Sequence, residues 1–199
     1  MTRILAVLLV IGTLGAWHWW SSERQVYRPP GIIAPDDPSQ VELDPPQTFD
    51  AKGYTLIKRA RFDITARLLR KERYRVDAEA GLAPFDLGVG WGPLSDSALL
   101  DQLEFSQMGR FFYWNPKRAD FPLSPQMAIT HLAQIHVIPA NAEIAARLSS
   151  LRPGQRVSAH GFLVDVRGPR GFAWNTSLRR DDTGGGACEI LWTEAIESD

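Results

Sequence analysis

An α+β fold is what this chain predicts: a compact domain on a small, strongly curved antiparallel sheet or barrel with short helices, behind a single N-terminal transmembrane helix and a Pro-rich linker. Three observations carry that expectation. Apolar and polar residues alternate with a period of two over 60–68, glycine turns separate further short strands, and polar capping residues open brief helices between them.

The first element is the apolar run from Ile4 to Trp17 behind a lone Arg3, which predicts a membrane anchor over residues 1–20. A helix through Ile4 to Trp20 rises roughly 25 Å, enough to span a bilayer with some snorkelling. Trp17, Trp19 and Trp20 suit the headgroup layer at its exit. A cleaved secretory signal shares the basic start and apolar centre. Leu14-Gly15-Ala16 matches a cleavage site poorly, however, and no Cys follows it to accept a lipid, so an uncleaved signal-anchor is favoured. The lipid bilayer is then a partner through residues 4–20. An N-in, C-out first helix places the body in the periplasm or outside the cell.

Residues 21–50 crowd Pro29, Pro30, Pro35, Pro38, Pro45 and Pro46 with Asp36, Asp37 and Asp44, and predict a semi-rigid linker holding a domain at 51–199 away from the bilayer. That body must live on its core, because Cys188 is the only cysteine and no intramolecular disulfide is possible. The formal net charge of -1, from 22 basic and 23 acidic residues, gives no global steering toward nucleic acid.

Within the body, Ala60, Phe62, Ile64, Ala66 and Leu68 alternate with Arg61, Asp63, Thr65 and Arg67 as a half-buried strand. Eight basic residues between Lys58 and Arg75 read as a solvated strand face and hairpin, with an anion or headgroup site as the alternative. The stretch Leu82 to Asp96 predicts a tight loop that packs the Trp91 indole, and Ser95 is positioned to cap a short helix through Leu103. Gly88-x-Gly90-x-Gly92 lacks the spacing of a nucleotide fingerprint. Gln107 to Trp114 reads as an aromatic strand, core on one face, with an aromatic ligand platform as the alternative. Ser124-Pro125 and Asn141 open two helices around a strand at 135–138. Strands follow at 157–166, 172–178 and 187–195.

A catalytic reading needs a nucleophile, and Cys188 with His131, His136 or His160 as base is the available set. Its glycine-rich neighbourhood, Gly184-Gly185-Gly186, offers backbone N–H groups to an oxyanion or is simply a turn. Cys188 opens an apolar strand, where a lone cysteine ordinarily acts as a small hydrophobe. His131 and His136 are not spaced as a helical metal pair, no second thiolate supports a metal site, and no CxxCH attaches haem, so neither metal nor cofactor is expected.

The segments PFDLGVGWGPLSD (84–96), SQMGRFFYW (106–114), HVIPA (136–140), GFLVDV (161–166) and SLRRDDTGGGACE (177–189) together resemble a family of uncharacterised, signal-anchored bacterial envelope proteins. The resemblance covers the body from Tyr54 onward and implies a bacterial inner-membrane protein with its domain in the periplasm. No activity is attached to that family, so it lends no catalytic residues.

The resulting expectation is a tethered binding or scaffolding module for an envelope protein partner, non-enzymatic, with Trp91, Arg110, Arg179 and Asp182 as surface candidates. Arg110 and Arg179 stand out for the bidentate contacts of guanidinium with carboxylate or phosphate, the alternative being internal pairs with Asp86 or Asp182. A Cys-His hydrolase or acyl or thiol transferase built on Cys188 with His136 or His160 is the competing expectation.

Overall fold

The computed structural model describes residues 24–199. The strands are β1 (Ser39–Ala51), β2 (Tyr54–Arg73), β3 (Phe85–Gly90), β4 (Leu103–Met108), β5 (Phe111–Pro116), β6 (Leu132–Pro139), β7 (Arg156–Arg167), β8 (Ala173–Trp174) and β9 (Glu189–Ser198). The α-helices are α1 (Ser97–Leu100), α2 (Pro125–Thr130) and α3 (Ala142–Ser150).

The expected α+β class is corrected. Among the described residues the protein is mostly β, with 47% strand against 15% helix, and the sheet is neither small nor purely antiparallel: seven strands join in one mixed sheet with β6 and β9 parallel. Its helices are four, six and nine residues long, too short to build a layer of their own.

Strand β2 organises the sheet. Ala60, Phe62, Ile64, Ala66 and Leu68 are buried together, following the alternation. β7 pairs along one edge of β2 from Thr55 to Arg67, while β1 and then β3 occupy the other. Onward pairing of β3 with β6, β6 with β9 and β9 with β7 returns to β2, so five strands close on themselves. From α3, Ile144 and Leu148 enter the same interior cluster as Leu87, Val89, Ile135 and Val137. This strand order, with one helix between the third and fourth barrel strands, is that of a five-stranded Greek-key barrel of OB type. Such folds host unrelated functions, so function must come from the site.

Residues 24–51, most of the expected linker, pack on the barrel. β1 pairs with β2 on both sides of Pro45-Pro46, and the ladder is interrupted between Glu42 and Gln47, where two prolines lack donors. Upstream, Val26 N–H donates to Pro153 O, Ala34 is buried, and Asp37 accepts from the Trp91 indole. Proline content announces extended backbone without saying whether that backbone has a surface to lie on.

Among the described residues no helix is long and apolar enough to cross a membrane. The expected transmembrane, signal-anchored, inner-membrane assignment, with the periplasmic placement resting on it, is corrected to that extent: no span supports it among the described residues. The run 1–20, to which the anchor is assigned by sequence, lies outside the described residues.

Local elements differ in instructive ways. The expected aromatic strand over 107–114 is a hairpin, because Gly109 takes φ +57° and turns β4 back as β5. Asp96, not Ser95, caps α1, its carboxylate accepting from Ala98 N–H; Ser95 Oγ instead receives the N–H groups of Ile33 and Ala34. Ser124 and Asn141 cap α2 and α3. The strand expected at 172–178 shrinks to β8, and 175–188 runs as an irregular strap. In the basic run, Arg59 pairs with Asp165, and Lys71 donates to the Ser149 and Leu151 carbonyls at the end of α3.

Candidate functional site

The hairpin β4–β5 lies against the outer face of β3 and β6, held by a buried polar network. In β6, Ala133, Ile135 and Val137 turn into the barrel, so period two sends Gln134 and His136 outward. Gln134 fastens β5 by its backbone: Oε1 accepts from Phe112 N–H at 2.6 Å, and Nε2 donates to Arg110 O at 2.6 Å. The same amide donates to Asp86 Oδ2 at 3.1 Å. Asp86 Oδ1 receives Arg110 Nη1 at 3.0 Å and His136 Nδ1 at 2.8 Å. Gly88 leaves the room this docking needs, since a Cβ there would sit 2.7 Å from the Phe112 ring.

Between this hairpin, the start of β6 and the strap 175–188 lies a cleft of about 360 Å³. Phe111, Phe112, Tyr113 and Trp114 line one side, and Arg179, Arg180, Asp182 and Thr183 come from the strap, with Glu189 at the first position of β9. The strap is pinned by Thr176 N–H to Asp165 Oδ1 at 3.1 Å and by Gln40 Nε2 to Leu178 O at 2.9 Å. The volume falls at the lower end of small-molecule sites.

Glu189 is the unusual group. Its side chain is 4% exposed, one oxygen is paired with Arg180, and the other, Oε2, is buried without a hydrogen-bond partner. Burial pushes its pKa up to about 7, against the pull of Arg180. A folded-state pKa above the unfolded 4.5 means that this residue's contribution to stability is fully present below pH 4.5 and is lost as pH rises to about 7. Across that window the wild-type protein is therefore expected to lose on the order of 2–3 kcal/mol relative to Glu189→Gln. Urea unfolding of both proteins from pH 4.5 to 7.5 reads the difference; a gap independent of pH contradicts an uncompensated buried carboxyl.

The residues expected from sequence are scattered. Cys188 borders the cleft, but its thiol donates to Gln134 Oε1 at 3.7 Å, and burial with nearby carboxylates pushes its pKa up to about 12. His136 Nδ1 is turned to Asp86, and His160 Nδ1 meets Asp63 at 2.7 Å. No histidine among the described residues hydrogen-bonds Cys188, and its thiol is the opposite of activated. His131 packs beside the Trp91 ring and faces Met127 O. Trp91 itself is 1% exposed, a core residue, so its expected surface role is corrected. Arg110 is consumed internally by Asp77, Asp86 and Ala83 O and stacks 4.0 Å from the Tyr74 ring. Arg179 and Asp182 do line the cleft. Arg179 forks onto Asp181, and Asp182 accepts from Ser177 Oγ at 2.6 Å.

Sequence reasoning missed Glu189, Arg180 and Gln134. The usable signal was a charged or amide side chain inside an apolar strand, at Glu189 before Ile190-Leu191-Trp192 and at Gln134 within Leu132 to Ile138.

Fold and site together define a closed β-barrel protein with an aromatic, ion-paired cleft of small-molecule size. No protein family, no characterised protein and no solved structure matches the chain.

Proposed function

We propose that this protein is a non-catalytic binding module that holds a small ligand in the cleft between β5, β6 and the strap 175–188. The observation carrying this reading is Glu189 Oε2: a buried acceptor with no donor, on a residue that lines the cleft opposite the aromatic strand β5. An unpaired buried polar atom costs about 1–3 kcal/mol, and a bound donor recovers much of it. Aromatic faces supply apolar contact at little cost in rotamer freedom. The competing reading, Cys188 as nucleophile, lacks an aligned base and a thiolate.

A fragment screen by two-dimensional NMR on the full-length protein tests the proposal. Perturbed amides are expected to cluster at Tyr113, Gln134, Thr183 and Ala187. Fragments that scatter over the surface, or that gather elsewhere, overturn it.

A further inference from the structure

Four ionisable side chains line the cleft, Arg179, Arg180, Asp182 and Glu189, and with Glu189 ionised their formal charges cancel. Their partners matter as much as their sum. The Arg179 Nε and Nη2 groups are closed on Asp181, and Arg180 spans Glu189 and the Gln40 amide oxygen. A ligand carboxylate or phosphate therefore meets guanidiniums that already carry partners and must share them with Asp181 and Glu189, whose like charge opposes it. A ligand cation meets two guanidiniums, the Glu189 carboxylate already paired with Arg180, and Asp182, which accepts from Ser177 Oγ.

What the cleft retains is hydrogen-bonding capacity without net charge. Glu189 Oε2 is an acceptor without a donor, Thr183 brings a hydroxyl, and the aromatic strand β5 walls one side, with alternate rings on that side. A ligand matching all three carries several O–H donors on a ring with one apolar face.

Resting on the binding reading above, we infer that the cleft takes a neutral polyhydroxylated ring, a sugar or cyclic polyol, with one hydroxyl donated to Glu189 and the ring face laid on the β5 aromatics. The strap contributes the remaining polar contacts, and its anchoring to β1 and β7 through Gln40 and Asp165 holds the site formed before the ligand arrives. Tyr113 is 42% exposed, so its ring is removable without opening the core.

The test is an NMR titration of the full-length protein at pH 8, where Glu189 is ionised, with glucose, N-acetylglucosamine, cellobiose and maltose. Agmatine serves as the cationic probe and glucuronate as the anionic one. The expected result is saturable shifts of the Trp114 indole and Thr183 amide with at least one neutral sugar. Tyr113→Ala should raise its Kd roughly 3- to 10-fold. Glu189→Gln should raise it roughly 10- to 100-fold. If Glu189→Gln fails to fold, Tyr113→Ala carries the test alone. Saturation by agmatine or glucuronate at these resonances, with no sugar binding, overturns the ligand class and leaves the cleft reading standing. No response to any probe, with no fragments gathered at the cleft, overturns both. A sugar that binds both variants as tightly as the parent removes the cleft as its site.

Discussion

Asp86→Ala should lower the melting temperature by roughly 6–20 °C, through a loss of about 3–5 kcal/mol. Asp86 is fully buried at its side chain and serves three donors from two elements: Arg110 at the hairpin turn, and Gln134 and His136 on β6. Deleting the carboxylate leaves Gln134 and His136 each short of an acceptor in a dry environment, where the penalty falls on the groups left behind rather than on the bond removed. Arg110 keeps its two contacts with Asp77, which holds the loss below that of a wholly stranded guanidinium. Differential scanning calorimetry of the two proteins measures the shift, and hydrogen exchange at Phe112 N–H reports whether β5 has come loose from Gln134. A variant melting within about 2 °C of the parent, too small a shift for a buried pair broken from one side, rules out this network as what docks the hairpin.

The same residues show where sequence is readable. Arg110 stands out for what a guanidinium does, and its alternative, an internal pair with Asp86, is the arrangement found. The alternation over 60–68 identifies an inward face because period two is a local property. Closure of the sheet is not local. It depends on β2 continuing to Arg73 and offering its two edges to β7, β1 and β3, and residues 69–73 carry no clean alternation to announce that. Glu189 is hidden for a related reason. Its neighbours read as an apolar strand, and only the fold brings Arg180, Gln40 and the aromatic hairpin around one carboxyl. Cys188 draws attention because cysteine chemistry is conspicuous in sequence, whereas burial decides its reactivity.

The second large effect is expected at a residue with no side chain. Gly161 lies where β7 crosses β9, just past the register shift between His160 and Gly161, and a Cβ there would stand 1.9 Å from the Trp192 carbonyl oxygen. That atom is backbone inside the ladder, so relief requires β7 and β9 to separate, opening the barrel at one of its five seams. Gly161→Ala should therefore cost about 3 kcal/mol or more, above ordinary overpacking because no flexible side chain yields. The sign is diagnostic: Gly→Ala at an unstrained position usually stabilises by about 0.4–1 kcal/mol through the unfolded chain. Gly81 is such a position, with nothing within 4 Å of the point where an alanine methyl group would stand. Urea unfolding of Gly161→Ala beside Gly81→Ala should move the midpoints in opposite directions. Equal midpoints would mean that β7 and β9 do not approach closely enough at Gly161 to close the barrel, and the strap that runs between them in sequence would lose the frame that forms the cleft.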